Sequence, residues 1–246
     1  MPLQEDYDNA GLQVGLTEAE VSGVLLCLDV TEATMREAKE KGCNMIVAHH
    51  PLIFRKLRHI TSEDYVQRCV MDAIKNDITI VAMHTNLDSV KDGVNHMIAR
   101  KLGLTDVEML GHRTLGDTEA GVGVTGNMAE PLTAEDFIAK VKTVFRAGCV
   151  MTNEPLRRPI RKVAVCGGSG AFALQQAVEA GADAFLTGEM HYHEYFGREQ
   201  QIQIAVTGHY ESEQFTIGLL EEIINDRCPE VRTVQTETCT NPIRYY

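Results

Sequence analysis

Predicted strands of this chain end in histidines, and two of these histidines are followed by a carboxylate four residues later. The residues concerned are His49, His50, His84, Asp88, His209 and Glu213. Side chains four residues apart lie on one face of a helical turn, so His84 with Asp88, and His209 with Glu213, can each reach one ion or two adjacent ions. Open α/β sheets bind ligands at the carboxyl ends of their strands. The pattern therefore predicts a metal site.

The adjacent histidines favour two ions over one. Successive side chains of an extended backbone point in opposite directions, so His49 and His50 suit separate ions, and Pro51 favours extended backbone at His50. Imidazole with carboxylate favours Zn, Mn, Fe or Co over Ca or Mg. Because a bound ion lowers the pKa of water to roughly 7, the hypothesis is a dinuclear hydrolytic centre in which metal-bound hydroxide attacks the substrate.

Each of these residues also has a structural interpretation. A single histidine at a strand end is more often a hydrogen-bonded core residue than a ligand, and a carboxylate is favoured in the first turn of any helix. Only the joint pattern of imidazoles and carboxylates at several strand ends favours the metal interpretation over these alternatives.

A second group of polar residues follows two later strands. The loop Gly167–Gly170 can bind an anion through its backbone amides, with Gly168 and Ser169 as the binding residues, or it can serve only as a tight turn. Glu189 and His193 follow the next strand. They are candidates for acid–base catalysis or for support of the ligands, and ordinary surface polarity is the alternative.

Strand and helix signals alternate along most of the chain, which predicts parallel βαβ units. Strands are predicted at residues 24–28, 44–48, 78–82, 163–166, 182–186 and 202–206. Helices are predicted at residues 31–41, 61–75, 93–101, 133–145, 171–180 and 212–225. Thr31 and Thr133 are the predicted N-caps of two of these helices.

The two ends of the chain repeat the same pattern. The spacing from Gly42 to His49 equals that from Gly181 to Gly188, and the His84 pair parallels the His209 pair. We predict an α/β fold of two pseudo-repeated α/β lobes with mixed, mainly parallel sheets and the metal site between the lobes. The predicted segments are a first lobe at 1–104, an α+β connecting segment at 105–160 and a second lobe at 161–246, with the lobes forming one compact unit.

Composition excludes several classes of function. Thirty-five acidic against 23 basic residues give a net charge of −12, and a field of that sign repels nucleic-acid backbones. Seven dispersed cysteines without a C-x-x-C pair predict reduced, buried thiols. Residues 1–6 lack the basic and apolar regions of a signal peptide, and no apolar run approaches the length of a membrane span. A cytoplasmic protein is expected.

The motifs together resemble those of the GTP cyclohydrolase 1 type 2 homologues, also called Nif-three-like dinuclear metal-centre proteins. The matching blocks are Asp8–Gly15, Val47–Phe54, His84–Asp88 with Gly93–Asn95, Gly167–Gly170, Thr187–Glu189 with His193, Gly208–Glu213 and Asn241–Arg244. Members of that family usually have a helix of a few turns before the first block, whereas here seven residues precede it. This departure indicates a truncated or misassigned start.

The resemblance implies a ligand set, an assembly and a compact form of the family without its inserted mid-chain domain. The implied metal ligands are His49, His50, Asp88, His209 and Glu213, with His84 as a further ligand or a substrate contact. The implied assembly is a homohexameric toroid whose sites face an inner cavity.

Two functions are consistent with the sequence. One is a hydrolase with two divalent ions per subunit that acts on a nucleotide-like or phosphorylated small molecule, with Glu189, His193 and His84 as catalytic candidates. The other is a non-enzymatic metal-binding ring protein with a metal-trafficking or regulatory role.

Overall fold

The computed structural model describes residues 4–246, so the first residues of the N-terminal segment considered for a signal peptide and for truncation lie outside the described part. The chain divides into two compact units. The first unit comprises the chain up to Leu87 together with Thr216–Pro242, and the second comprises Asp88–Phe215 together with Ile243–Tyr246.

The described residues form short strands and helices in alternation. The strands are β1 (Gly11–Val14), β2 (Val24–Cys27), β3 (Met45–Ala48), β4 (Thr79–Ala82), β5 (Leu104–Leu110), β6 (Arg113–Leu115), β7 (Thr118–Ala120), β8 (Gly123–Leu132), β9 (Met151–Thr152), β10 (Ile160–Cys166), β11 (Ala184–Thr187), β12 (Gln203–Val206) and β13 (Thr233–Gln235). The α-helices are α1 (Glu32–Glu40), α2 (Tyr65–Lys75), α3 (Thr85–Ser89), α4 (Val94–Leu102), α5 (Ala134–Val144), α6 (Leu174–Glu179), α7 (His209–Glu213) and α8 (Thr216–Arg227). Short 3-10 helices lie at Ala171–Ala173 and Tyr192–Tyr195.

The first unit is built on one sheet with the strand order β1-β4-β3-β2-β13. Strands β13, β2, β3 and β4 are parallel, and β1 is antiparallel to β4. The central strands are almost continuously apolar and buried, as expected for parallel strands covered on both faces. Leu25, Ile46 and Ile80 are fully buried in its core.

The helices of the first unit begin where side chains cap them. Thr31 accepts a hydrogen bond from the backbone of Thr34 at the start of α1, as predicted. Helix α2 begins at Tyr65 rather than at residue 61 or 62, because the side chain of Asp64 accepts the hydrogen bond from the backbone of Gln67. The predicted start of α2 was therefore wrong by one turn.

The second unit contains a sheet with the strand order β5-β8-β10-β11-β12-β9. Strands β10, β11 and β12 are parallel, whereas β8, β5 and β9 join it through antiparallel pairs. A small hairpin of β6 and β7 belongs to the same unit. The parallel set β10-β11-β12 repeats the order of β2-β3-β4, so the prediction of a mixed α/β fold with two related sheets is confirmed.

Strand pairing explains where the units differ from the predicted segments. Strands β5, β8 and β9 lie within the segment 105–160 or at its edge, yet they pair within the sheet of the second unit. Conversely, β13 lies within the segment predicted as the second lobe but pairs with β2 in the first unit.

Two further local predictions need correction. The helix predicted at 212–225 is two helices, α7 and α8, and the helix predicted at 171–180 is a 3-10 turn followed by α6. All cysteines are free, but Cys149, Cys228 and Cys239 are exposed rather than buried. Within residues 4–246, no helix combines the length and the apolar character needed to cross a membrane.

Candidate metal centre

The first unit brings three histidines together at the carboxyl ends of two neighbouring strands. His49 and His50 follow β3, and His84 follows β4. The ring centroids are 4.8 Å apart for His49 and His50, 5.4 Å for His49 and His84, and 5.5 Å for His50 and His84. His49 is fully buried. Because β3 and β4 are parallel and in register, their ends lie at the same sheet edge.

The adjacent histidines are each oriented by an acceptor at Nδ1. His49 Nδ1 lies 2.8 Å from the carbonyl oxygen of Met83. His50 Nδ1 lies 2.7 Å from Asp29 Oδ1, and the other oxygen of Asp29 accepts a 2.5 Å hydrogen bond from Thr240 Oγ1. A neutral ring that donates through Nδ1 carries its lone pair on Nε2, which makes Nε2 the ligand atom.

The third histidine has the same arrangement with a more buried acid. His84 Nδ1 lies 2.7 Å from Asp8 Oδ1, and Asp8 Oδ2 accepts hydrogen bonds from the backbone and hydroxyl of Thr85 at 3.2 and 2.5 Å. Burial by itself raises the pKa of Asp8, but the hydrogen bonds from His84 and Thr85 outweigh it and hold the pKa below its usual range. Burial, and then the neighbouring His49, lower the pKa of His84. The ring of His84 is therefore neutral beside a charged carboxylate at neutral pH.

Sequence reasoning did not assign a role to Asp8 or Asp29. Asp8 opens one of the blocks that carry the family resemblance. Asp29 is separated from the end of strand β2 by Leu28 alone, so its position near the sheet edge was a usable signal. Histidine ligands commonly donate their second ring N–H to a carboxylate or a carbonyl. Here Asp8 is the acceptor for His84, and Asp29 is the acceptor for His50.

The second unit has its own cluster at the ends of β11 and β12. His209 is the first residue of α7; its Nδ1 lies 3.1 Å from Glu189 Oε1, and its Nε2 lies 3.1 Å from Glu213 Oε2. Glu213 is buried, whereas Glu189 is half-exposed and hydrogen bonds to the hydroxyl of Ser169. The four-residue spacing thus joins His209 and Glu213 on one turn, as the spacing predicts.

The Gly167–Gly170 loop supports this cluster. Gly168 has φ +57°, and a Cβ atom at this position would collide with Glu213 Oε1 and approach His209 Nε2 to 3.3 Å. Its carbonyl oxygen accepts hydrogen bonds from the backbone of Gly188 and Glu189 at 3.0 and 2.9 Å. A side chain at residue 168 would therefore occupy the space in which the two candidate ligands meet.

The backbone amides of this loop donate to side chains of the protein. The amide of Gly167 donates to Asn95 Oδ1 at 2.9 Å, and that of Gly168 donates to Ser212 Oγ at 3.0 Å. Asn95 Nδ2 in turn donates to the carbonyl oxygen of Asp88 at 3.0 Å, which ties the loop to the helix that carries Asp88. Anion binding by Gly168 and Ser169 remains a prediction.

The negative charges of Asp88 and Glu213 both affect the pKa of a buried thiol, that of Cys166. Burial raises the pKa of Cys166, and the negative charges of Asp88 and Glu213 raise it further. Cys166 is therefore a neutral thiol, in agreement with the prediction of reduced, buried thiols.

His193 lies apart from these contacts on the exposed 3-10 helix that follows β11. Its ring centroid is 5.2 Å from that of Tyr192 and 6.2 Å from that of Phe196. The described contacts thus group His193 with surface aromatic residues. Its role in acid–base catalysis remains a prediction.

The first unit offers the imidazole nitrogens of His49 and His50 as candidate metal ligands, and the second unit offers the carboxylate of Glu213. Two imidazoles and a carboxylate are donors that suit Zn, Fe, Mn or Co. The oriented rings fit such an ion, because each Nδ1 already has an acceptor. The assignment of Asp88 and His209 as further ligands remains a prediction.

Comparison with known proteins supports the resemblance found in the sequence. A Clostridium acetobutylicum protein named GTP cyclohydrolase 1 type 2 homolog is 35% identical over 213 residues, which cover 86% of this chain and 79% of that protein. A Clostridium perfringens protein of the same name is 33% identical over 247 residues, which cover 99% of this chain and 93% of that protein. The crystal structure of a hypothetical protein from Staphylococcus aureus is similar at 29% identity and a TM-score of 0.90, covering 99% of this chain and 94% of that one.

The sequence model of one family spans almost the whole chain. The model of Duf34/NIF3 (NGG1p interacting factor 3) matches residues 1–242. Together with the identity to the curated relatives, this match shows that the chain belongs to the Duf34/NIF3 family.

Proposed function

We propose that this protein is a metal-dependent hydrolase with two divalent ions. The proposed ligands are His49, His50, Asp88, His209 and Glu213. The observation that carries the proposal is the orientation of three clustered imidazoles by acceptors at Nδ1, since this arrangement is typical of metal-binding histidines. When bound, divalent ions supply an acidified water and polarise the bond that is cleaved.

Other residues of the chain have roles in proton transfer and substrate contact. Glu189 is half-exposed and bonds to both His209 and Ser169, so it can accept a proton at Oε1 or Oε2 and pass it to the leaving group. His193 is the second candidate for this step. His84, held by Asp8, contacts the substrate or serves as a further ligand.

The substrate of the proposed reaction is a nucleotide-like or phosphorylated small molecule. The names of the relatives refer to a GTP cyclohydrolase homologue, and we extend only the substrate class to this chain. The proposed native form is a cytoplasmic homohexameric toroid, as the family resemblance implies. The proposed ions are Zn, Fe, Mn or Co.

The test combines metal analysis with turnover. We expect purified protein to contain about two equivalents of a transition metal by mass spectrometry, and a chelator to abolish hydrolysis of a nucleotide and phosphoester panel. His209→Ala is expected to lose metal. His59→Ala, which removes an exposed imidazole 3.2 Å from Glu63, is the matched control and keeps it.

Two outcomes would contradict the proposal. A His209→Ala variant that retains all of its metal would refute the ligand assignment. Stoichiometric metal without chelator-sensitive turnover on any member of the panel would refute the hydrolase and favour a non-enzymatic metal-binding protein.

A further inference from the structure

A cavity of about 460 Å³ lies in the first unit. Pro51, the residue that follows His50, is among the residues that line it. Residues 51–59 other than Ile53 form one wall, and the start of α2 at Tyr65 forms another. Its volume falls within the roughly 300–1,000 Å³ typical of small-molecule sites. The cavity is therefore large enough for part of a substrate and is close in sequence to the candidate ligands.

Positively charged side chains line the cavity, although the chain as a whole is acidic. Arg55, Lys56 and Arg58 line it and are exposed. Within residues 4–246, none of the three forms a hydrogen bond or an ion pair, although the chain has a net charge of −12. Some other cations of the same unit have acidic partners, such as Lys39 with Asp72 at 2.7 Å. Unneutralised cations that line a cavity favour an anionic ligand.

The segment that carries these cations is anchored at its apolar residues. Leu52 is buried in the core of the first unit, and Ile53 and Leu57 pack against that core. The backbone of Ile53 donates to Gln13 Oε1 at 3.1 Å and accepts from Asn9 Nδ2 at 2.7 Å. The apolar side chains thus point inwards and fix the backbone, while the intervening cations remain exposed.

One aromatic residue links the cavity to the histidine cluster. Phe54 lines the cavity, and its ring lies edge-on to that of His84 with centroids 6.1 Å apart. A ligand whose anionic end lies among the cations can therefore extend past Phe54 towards the imidazoles.

The acids near the cavity are already engaged. Both carboxylate oxygens of Asp64 accept hydrogen bonds from Gln67, at 2.8 Å from its backbone and 3.2 Å from its side chain. Glu63 lies 3.2 Å from His59 Nε2. Both acids therefore have partners other than Arg55, Lys56 and Arg58, and Asp64 itself lines the cavity.

We propose that this cavity is an anion subsite that takes the phosphate groups of the substrate, with Arg55, Lys56 and Arg58 as their partners. Guanidinium groups bind phosphate through paired N–H donors, and the ammonium of Lys56 adds a third charge. A diphosphate or triphosphate matches three cations better than a monoanion does. The assignment rests on the proposed function, since it names the substrate class of that site.

The test is titration calorimetry of the full-length purified protein with inorganic pyrophosphate at low ionic strength. Lys56→Gln/Arg58→Gln is compared with Arg36→Gln/Lys75→Gln, which removes one lysine and one arginine from exposed positions of the same unit outside the cavity. We expect the cavity variant to bind at least about tenfold more weakly and the control to bind like the wild type. Metal content and oligomeric state are measured in parallel.

The readouts separate this inference from the proposed function. Loss of pyrophosphate affinity in the cavity variant alone supports the subsite, even for a protein that lacks metal and hydrolytic activity. Equal affinities of both variants, or no pyrophosphate binding by the wild type, would overturn the subsite even if metal and hydrolysis are present. A change of oligomeric state confined to the cavity variant, with unchanged affinity, would overturn it as well and assign these cations to an interface between copies.

Discussion

Asp29 shows how single residues outside the ligand set control the chemistry of the candidate centre. Its carboxylate accepts from His50 through one oxygen and from Thr240 through the other, so the ring of His50 is held in one orientation. The types and positions of the candidate ligands were predictable from strand ends and spacing. The pairing of Asp29 with His50 was not predictable, because the two residues follow different strands and have no fixed sequence separation.

Replacement of Asp29 tests this orientation. Asp29→Asn removes the charge that fixes the Nδ1–H tautomer of His50, so we expect metal affinity to fall by roughly 10–100-fold. Competition with a chromogenic chelator measures the change. Asp72→Asn, which alters a surface ion pair with Lys39, is the control and leaves affinity unchanged; equal affinities of the two variants would contradict a role for Asp29.

Gly168 provides a second test at a single position. Both Gly168 and Gly181 have positive φ, but a Cβ at residue 181 meets no atom within 4 Å, whereas one at residue 168 would collide with Glu213. Gly181→Ala is expected to cost about 1 kcal/mol of unfolding free energy from backbone strain alone. Gly168→Ala is expected to cost at least about 1 kcal/mol more.

Urea unfolding of the two glycine variants measures both effects. Metal content provides an independent readout, because displacement of Glu213 affects a candidate ligand and Gly181→Ala does not. Identical unfolding free energies of the two variants would show that the space beside Glu213 is not restricted.

Among the elements, helix α1 and the segment after β13 are joined by one carboxylate. Glu37 Oε1 accepts from the backbone of Glu237 at 2.7 Å, and Oε2 accepts from the hydroxyls of Thr236 and Thr238 at 2.5 and 2.7 Å. Burial by itself raises the pKa of Glu37, but these hydrogen bonds outweigh it and lower the pKa. The carboxylate therefore stabilises the docking of the last strand of the first unit.

This contact predicts a pH-dependent stability. Because the folded-state pKa of Glu37 is below its unfolded value, its contribution is complete above the unfolded pKa and is lost as the pH falls through the folded one. Glu37→Gln is expected to lower the unfolding free energy by about 1–3 kcal/mol at pH 7. The difference from the wild type is expected to shrink in acid.

Urea unfolding at a series of pH values checks this expectation. Glu40→Gln, an exposed acid on the same helix, is the control and should leave the curve unchanged. A Glu37→Gln defect that persists undiminished below the folded pKa would exclude the carboxylate charge as its cause.

Local signals predicted some elements better than others. Caps at Thr31 and Thr133 predicted α1 and α5, because capping depends on residues within one turn. Strands β1 and β13 went unpredicted, since each is defined by its pairing with β4 or β2 rather than by a continuous apolar run of its own. The parallel core was predictable and its edges were not.

At the scale of the whole molecule, the chain leaves its first unit after Leu87 and returns to it at Thr216. A prediction made from the order of residues along the chain assigns a continuous segment to each lobe. The lobes predicted at 1–104 and 161–246 are such segments. The pairing of β13 with β2 depends on contacts across about 200 residues, which neither composition nor periodicity encodes. The existence of two related sheets was predictable from the repeated motifs, whereas the path of the chain between them was not.

The late position of β13 has a consequence for biosynthesis. A ribosome that has made β2, β3 and β4 must still translate residues 88–215 and α8 before the strand beside β2 exists. Thr240, which donates a hydrogen bond to the Asp29 carboxylate beside His50, is translated later still. At about 5–20 residues per second, the roughly 190 residues between His50 and Thr240 delay the complete support of His50 by about 10–40 seconds. The complete support of the candidate centre can therefore form only once residue 240 has been translated.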